Sequence, residues 1–199
     1  MRSTKRRENL RALVETAILI AIGYVLSFIT MFRLPQGGSV TPLSMLPLLL
    51  IGLRHGLKWG LAGCFVYSGL QMLQGFYPPP SGTFQAFIAV IMLDYVLAFT
   101  VLGLSGLFRG NKNGMIFAVP LCLISRFILH FISGVVIWGY YITEQHSVIY
   151  NITNPEVLSY SLIYNGTYMG PELVITMIVG ALLCKTAPML FSSPKMQEA

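Results

Sequence analysis

Long apolar stretches alternate with short polar connections along this chain, a pattern typical of a membrane protein that crosses the bilayer several times. Five of the six stretches approach or exceed the length of a helix that spans a bilayer, roughly 20 residues, and the second is shorter. We therefore predict an all-α fold that forms a single membrane domain over residues 1–199. Six transmembrane helices are expected at residues of about 13–29, 41–53, 57–73, 84–107, 114–140 and 158–183.

Basic residues gather at one side of these predicted helices. If the N-terminus is cytoplasmic, all of the 13 Lys and Arg residues except Arg33 and Arg126 fall in inner segments. Positive residues are retained on the cytoplasmic side of membrane proteins, so we predict an even number of spans with both termini cytoplasmic. The inner residues are Arg2, Lys5, Arg6, Arg7, Arg11, Arg54, Lys58, Arg109, Lys112, Lys185 and Lys195.

The composition agrees with a membrane protein, since 55% of the residues are hydrophobic, 10% are charged and the mean hydropathy is +0.70. The net charge of +6 does not indicate nucleic-acid binding, because the positive residues flank apolar segments and form no continuous stripe. The spacing of the 3 cysteines suits neither a zinc site nor a disulfide framework. We expect no metal and no cofactor, and a multi-pass protein of the cell membrane.

One carboxylate lies where an acid is costly. Asp94 falls in residues 84–108, which hold no other charge. A carboxylate at membrane depth costs roughly 2.5–3.5 kcal/mol on insertion scales, so it usually faces a bundle interior, a partner or a ligand. In a basic protein this predicts a site for a positively charged compound. Pairing with Arg126 on the next helix is the alternative, and the two roles are compatible.

Other polar and aromatic residues are predicted at a similar depth in the outer half of the bundle. His130 lies ~15 Å below the outer end of the fifth helix, as Asp94 does on the fourth. Trp138 follows two turns above His130 on nearly the same face. Gly134, between them, would let a ligand approach the backbone closely.

The sixth predicted helix adds phenols and an amide to this outer layer, because Tyr160, Tyr164 and Tyr168 share one face and Asn165 lies among them. Aromatic faces attract cations by ~0.5–2 kcal/mol each, and His and Asn supply directional hydrogen bonds. The set predicts a pocket for a flat, cationic, nitrogen-bearing ring compound. The simpler alternatives are a hydrogen-bonded core role for His130 and an interfacial role for Trp138 and the tyrosines.

Five motifs resemble the thiamine-specific S component of energy-coupling factor (ECF) transporters, the YuaJ/ThiT family. They follow the order and spacing of that family along nearly the whole chain. The motifs are PQGGSV at 35–40, MLDYVLAF at 92–99, RFILHFISGVVIWG at 126–139, YSLIYNGTYM at 160–169 and TAP at 186–188.

The resemblance implies a six-helix protein of the lipid bilayer that captures thiamine outside the cell. It also implies delivery by toppling, within a complex with the ECF coupling transmembrane subunit and two ATPase subunits. Residues 32–39 would cap the site. Tyr67 stands where some members have a tryptophan, and some members have a glutamate at the position of Asp94. The binding residues implied are Asp94, Tyr95, His130, Gly134, Trp138, Tyr160, Asn165, Tyr67 and Gln36.

The energy source for uptake is expected to lie outside this chain. The sequence has no G-x-x-x-x-G-K-[ST] loop, so uphill uptake requires a partner or an ion gradient. Ala17 and Ala21 form a small-xxx-small pair that permits close approach of another helix. The family resemblance makes that face the docking surface for the coupling subunit, and ordinary packing within the bundle is the alternative.

A self-sufficient proton-coupled carrier of thiamine or a related cationic heterocycle is the second functional hypothesis. In that hypothesis Asp94 and His130 form the proton relay. An enzyme is not expected, because the sequence offers no set of nucleophile, base and orienting residue and no cluster of metal ligands.

Overall fold

The computed structural model of the chain describes residues 2–111, 113–145 and 147–191. Lys112 and Lys195, two of the basic residues assigned to the inner side, lie outside the described residues. The described elements are α1 (Arg2–Ser27), β1 (Phe32–Arg33), β2 (Ser39–Val40), α2 (Leu46–His55), α3 (Leu57–Gln74), α4 (Phe84–Phe108), α5 (Gly114–Thr143), α6 (Val148–Thr153), α7 (Pro155–Thr186) and the short 3-10 helix α8 (Pro188–Leu190).

Four of the described helices are long and apolar enough to cross a membrane, and the chain is a multi-pass membrane protein. Helix α2 is not one of them, because its 10 residues cover only ~15 Å, about half of the hydrocarbon core. All its residues except Arg54 are buried, so it is enclosed by the other helices. The four segments are Lys5–Ser27, Phe84–Phe108, Gly114–Thr143 and Pro155–Thr186.

Glycines allow the helices of the core to pack backbone against backbone. A Cβ atom on Gly103 of α4 would come within 2.4 Å of the backbone carbon of Gly60 on α3. A Cβ atom on Gly52 of α2 would lie 2.5 Å from the backbone nitrogen of Gly106. The end of α4, Val101–Phe108, is wound as a 3-10 helix where these contacts occur. Such a tight packing leaves no room for a larger residue.

The first helix begins at Arg2, well before the predicted residue 13. The second helix, predicted over residues 41–53, begins only at Leu46. Turns precede it, with hydrogen bonds from the Ser44 N–H to the Thr41 carbonyl and from the Leu46 N–H to the Leu43 carbonyl. Leu43 has a φ of 66°, in the left-handed region that a helix of L-residues does not use. The chain therefore turns before it enters α2.

The last long helix begins earlier than the predicted residue 158. The side chain of Asn154 accepts a hydrogen bond from the backbone N–H of Glu156, and Pro155 occupies the first turn of α7. An Asn cap followed by proline is a standard helix start. The start was therefore readable from the sequence and was missed. The segment before it, predicted as a loop, contains the short helix α6.

The two ends of the bundle differ in chemistry. At one end, Glu15 of α1 forms ion pairs with Arg54 at 2.8 Å and with His55 at 3.0 Å. Arg54 also donates to the carbonyl oxygens of Met189 and Leu190 at 3.3 and 3.0 Å. These contacts join α1, α2 and α8. The β1–β2 hairpin and the connections after α3 and α5 lie at the opposite end, where the main cavity opens.

Candidate ligand-binding site

A cavity of about 190 Å³ lies beneath the β1–β2 hairpin, between α3, α4, α5 and α7. All the binding residues that the sequence indicated border this one cavity, although they come from five separate parts of the chain. They are Gln36 of the hairpin, Tyr67 of α3, Asp94 and Tyr95 of α4, His130, Gly134 and Trp138 of α5, and Tyr160 and Asn165 of α7.

Three side chains of α5 hold the carboxylate of Asp94. His130 Nδ1 lies 2.9 Å from Oδ1, Ser133 Oγ donates to Oδ2 at 2.7 Å, and Trp138 Nε1 donates to Oδ2 at 2.9 Å. The side chain of Asp94 is 15% exposed. These three groups hold the side chain of Asp94 in place where it borders the cavity.

Asp94 and its partner Trp138 both lie in π-helical segments. Asp94 lies in Ile91–Leu97 of α4, and Trp138 ends Gly134–Trp138 of α5. A π segment inserts extra residues into a helix and changes which side chains face inward, and such segments are frequent at functional sites. The two segments bring the acid and the indole into contact.

The hydrogen bonds of His130 determine its tautomer. Arg126 Nε lies 3.2 Å from His130 Nε2, and a guanidinium can only donate. His130 Nε2 must therefore accept, and Nδ1 carries the proton that is donated to Asp94. A second proton on Nε2 would place two N–H groups against each other. This contact favours a neutral, fixed imidazole.

Arg126 does not bond directly to Asp94, because His130 stands between them. The guanidinium lies over the ring of Phe99, with its central carbon 4.2 Å from the ring centroid, and Nη1 contacts Met45 Sδ at 3.0 Å. The direct Asp94–Arg126 pair considered from the sequence is replaced by a series, Asp94–His130–Arg126. A cation–π contact of this kind contributes ~0.5–2 kcal/mol.

Aromatic rings form a large part of the remaining wall. Tyr160, Tyr164 and Tyr168 lie on one face of α7, as their spacing predicted, with ring centroids 5.6 and 6.1 Å apart. Tyr168 also contacts the ring of His130 edge-on, at 6.1 Å. Such a wall presents several π faces to the cavity, which suits a cationic or aromatic ligand.

The β1–β2 hairpin, residues 32–40, covers the cavity and is called the lid below. The backbone N–H of Gly38 donates to the hydroxyl of Tyr164 at 3.2 Å. A Cβ atom on Gly37 would lie 2.6 Å from the ring of Tyr77, and one on Gly38 would lie 2.7 Å from the ring of Tyr168. Gly37 has a φ of 93°, which favours glycine. The glycines thus allow the lid to rest directly on aromatic rings.

Gly134 and Asn165 border the cavity, and their contacts join α5 to α7. A Cβ atom on Gly134 would meet Ser161 Oγ at 2.1 Å, so this glycine is required for the packing of α5 on α7. The amide nitrogen of Asn165 donates to the carbonyl oxygens of His130 and Ser161 at 3.2 and 2.9 Å, and its oxygen accepts from Tyr168 at 2.8 Å. The packing of α5 on α7 is thus a second reason for a glycine at 134, beside the ligand approach expected from the sequence.

Tyr95 and Tyr67 are likewise anchored by their hydroxyl groups. The Tyr95 hydroxyl donates to the Gly75 carbonyl at 2.9 Å and accepts from the Tyr77 N–H at 3.1 Å. The Tyr67 hydroxyl accepts from Gln71 Nε2 at 2.9 Å, and its ring packs edge-on against Phe99 at 5.3 Å. Their rings, more than their hydroxyls, are available to the cavity.

The predicted set omits a second polar cluster that borders the cavity. Ser27 Oγ donates to Gln74 Oε1 at 2.8 Å, and Gln71 Nε2 donates to Ser27 Oγ at 3.0 Å. Two glutamines one turn apart in an apolar helix were a readable signal. Glu172, an acid within the predicted helix over 158–183, was also missed, although the argument applied to Asp94 applies to it equally.

Ala17 and Ala21 lie on the exposed face of α1. Their neighbours on that face include Val14, Ile18 and Val25, with exposed fractions of 50%, 54% and 64%. The pair therefore does not pack within the described bundle, which was the alternative to a docking role. Among the described residues, no group of three or more His, Cys, Asp or Glu side chains is arranged to hold a metal ion.

The fold and the cavity together define a multi-pass membrane protein with a cavity beneath a lid. The family model described as "Thiamine transporter protein (Thia_YuaJ)" matches residues 13–192, and the chain belongs to that family. The thiamine transporter ThiT of Bacillus subtilis (strain 168) is 32% identical over 203 aligned residues, covering 94% of this chain and 97% of the relative. Members of the family are transport proteins rather than enzymes.

Two further comparisons agree with this assignment. The thiamine transporter ThiT of Lacticaseibacillus paracasei is 29% identical over 210 aligned residues, which cover 94% of this chain and 93% of the relative. A solved structure of ThiT from Listeria monocytogenes superposes with a TM-score of 0.71 at 24% identity. It covers 92% of this chain and 98% of the other, and it supports the overall fold.

Proposed function

We propose that this chain is the substrate-binding S component of an ECF-type vitamin transporter, and that it captures thiamine from outside the cell. The observation that carries the proposal is the position of the Asp94 carboxylate. It is held by three donors and borders an aromatic cavity beneath a lid. Thiamine joins a cationic thiazolium ring to an aminopyrimidine, so it requires the charge and the π faces that this cavity offers.

Each predicted binding residue has a part in the proposed site. Asp94 offsets the positive charge of the ligand, and Trp138 and Tyr160 supply the faces on which its rings stack. Tyr67 and Tyr95 bound the inner wall with their rings. His130, Gly134 and Asn165 position α5 and α7 around Asp94, and Gln36 closes the cavity from the lid.

The proposed topology has six membrane crossings, with both termini in the cytoplasm of a bacterial cell and the cavity facing outward. The end that holds Arg54, Lys58 and Arg109 then faces the cytoplasm, which agrees with the excess of basic residues in the cytoplasmic loops of membrane proteins. Helices α2 and α3 are the two additional crossings. Helix α2 is short, but it is buried within protein, where its ends need not match the thickness of lipid.

The proposed partners are the ECF coupling transmembrane subunit and two ATPase subunits. The exposed face of α1 around Ala17 and Ala21 supports docking, because small residues permit close helix approach within a bilayer. Ala17→Leu would block that approach without touching the cavity. Co-purification with the coupling subunit should be lost in this variant while thiamine binding is retained, and co-purification unchanged by the substitution contradicts the assigned surface.

Calorimetry on the purified chain tests the binding role. The intact protein should bind thiamine with nanomolar affinity, about −12 kcal/mol, and Asp94→Ala should lose that binding. Glu144→Gln, which removes an acid from the exposed connection after α5, is the matched control and should bind normally. Absence of thiamine binding by the folded wild-type chain would refute the proposal.

The proton-coupled carrier remains the second candidate, with Asp94 and His130 as its relay. The observed contact of His130 Nε2 with Arg126 at 3.2 Å opposes it, since protonation there would place two donors in contact. Liposomes that contain only this chain should therefore show no thiamine uptake driven by a pH gradient. Uptake under those conditions, without added ATPase subunits, would favour the carrier.

A further inference from the structure

Glu172 of α7 is a buried acid that has no part in the site described so far. The residue is 0% exposed, and it does not border the main cavity. A buried carboxylate is costly unless hydrogen bonds compensate for the lost water. Its contacts therefore indicate why an acid occupies this position.

The carboxylate of Glu172 bonds to a single residue of the lid connection. Oε1 accepts a hydrogen bond from the backbone N–H of Thr41 and a second from Thr41 Oγ1 at 3.1 Å. In the described part of the chain, Oε2 has no hydrogen-bond partner. The hydrogen bonding of this carboxylate is thus directed entirely to Thr41.

Thr41 lies where the lid joins the helix bundle. It directly follows β2, and its hydroxyl lies 2.8 Å from Ser44 Oγ, in the turn that leads into α2. The three groups form the series Ser44 to Thr41 to Glu172, in which each hydroxyl donates to the next oxygen. The connection between the lid and α2 is therefore attached to α7.

The same turn contains an unfavourable backbone conformation. Leu43 has a φ of 66°, and a bulky residue keeps such a conformation only where the surrounding contacts impose it. The attachment of Thr41 to Glu172, two residues earlier, is such a contact. Release of this attachment would let the turn relax and the lid move away.

We propose that Glu172 is a positioning residue for the lid: through Thr41 it fixes the hinge so that the hairpin stays closed over the cavity. Glu172 itself touches no ligand. The lid rests on Tyr77, Tyr164 and Tyr168 only if its end at Thr41 is held in this position. This inference concerns the empty protein and stands apart from the identity of the ligand.

Hydrogen exchange on the ligand-free protein tests the proposal. The lid contains protected amides, since the Leu34 N–H donates to the Gly38 carbonyl at 2.6 Å and the Met31 N–H donates to the Val40 carbonyl at 2.9 Å. In Glu172→Ala, amides of residues 31–40 should exchange at least about tenfold faster, because both hydrogen bonds to Thr41 are lost. Glu172→Gln keeps an acceptor for Thr41 and should restore most of the protection.

A control on the same helix separates this role from general damage to α7. Thr176 is buried one turn further along and bonds to no lid residue, so Thr176→Ala should leave lid exchange at the wild-type rate. Equal acceleration in Thr176→Ala and Glu172→Ala would overturn the proposal. Unchanged lid exchange in a folded Glu172→Ala protein would overturn it as well.

A second substitution tests the same contact from the lid side if Glu172→Ala does not fold. Thr41→Val keeps the shape and the backbone N–H but removes the hydroxyl that bonds to Glu172 and Ser44. Lid exchange should rise several-fold, less than in Glu172→Ala, and wild-type exchange would contradict the hinge role. If the wild-type chain binds thiamine, the rate of thiamine dissociation, measured by stopped flow, should also rise. The increase should be larger in Glu172→Ala than in Thr41→Val.

Discussion

Trp138 Nε1 donates a hydrogen bond of 2.9 Å to Asp94 Oδ2, so the indole and the carboxylate form one unit across α4 and α5. The contact fixes the plane of the indole ring at the cavity wall. It also helps to hold the carboxylate toward the cavity. A ligand cation would therefore meet an acid and an aromatic face that are already oriented, which reduces the entropy lost on binding.

Trp138→Phe tests the importance of this orientation. The phenyl ring keeps an aromatic face but cannot donate to Asp94, so we expect thiamine affinity to fall about tenfold or more, since hydrogen bonds to charged groups contribute ~1.5–3 kcal/mol. Equilibrium titration measures the loss. Trp59→Phe is the control, because Trp59 contacts His55 at the other end of the bundle. Equal affinities in the two variants would show that the bond is unimportant.

Asp94→Asn tests the contribution of charge alone. Asparagine keeps the shape of the side chain, but it no longer offsets a positive charge. Thiamine should bind at least about tenfold more weakly, while a neutral isostere with thiophene in place of thiazolium should lose much less. Competition binding with both compounds gives the two ratios. If both compounds weaken equally, Asp94 acts on the shape of the cavity and not through its charge.

Gly103→Ala tests the backbone packing of the core. The new methyl group would lie 2.4 Å from the Gly60 backbone, and overpacking of this kind costs typically about 1–3 kcal/mol. Thermal unfolding in detergent should therefore begin at a lower temperature. Gly69→Ala, where nothing lies within 4 Å of the added atom, should be neutral or slightly stabilising. Equal unfolding temperatures for the two variants would contradict the assigned packing.

Arg54→Lys tests the attachment of α1 and α8 to α2. Arg54 bonds to Glu15 through Nε and Nη2 and to two carbonyl groups through Nη1. A lysine ammonium cannot replace this fork of donors, so we expect a loss of about 1 kcal/mol, since these partners are partly exposed and water replaces part of the lost hydrogen bonding. Thermal unfolding measures it, with Lys58→Ala as the exposed control. Unfolding of Arg54→Lys at the wild-type temperature would rule out the attachment.

Several residues that border the cavity could be predicted from the sequence pattern alone, because polar groups inside apolar helices are rare and tend to face the protein interior. The family resemblance alone implied Tyr67, Tyr95 and Gln36. Helical spacing placed Asp94 and His130 at a similar depth and Trp138 two turns above His130 on nearly the same face. The structure joins His130 and Trp138 to Asp94 by hydrogen bonds. The three tyrosines of α7 follow from their spacing in the same way. For these residues, helical periodicity and the energetic cost of burying polar groups were sufficient to predict that they lie together.

Other features depend on contacts between distant segments, and local patterns do not contain them. Nothing in the sequence around Asp94 indicates a π-helical segment, and nothing around residues 32–40 requires a hairpin. The glycine at 134 was expected for ligand approach, and its packing against Ser161 on α7 is a second reason that local sequence does not contain. Glu172 was accessible by the rule used for Asp94, but its partner Thr41 lies far away in the sequence.

A structure of the protein with thiamine bound would test the central claim most directly. The account predicts ligand density in the cavity beneath the lid, with the thiazolium ring beside Asp94 and a ring stacked on Trp138 or Tyr160. Density for thiamine outside this cavity, with Asp94 still bonded only to His130, Ser133 and Trp138 and far from the ligand, would contradict it.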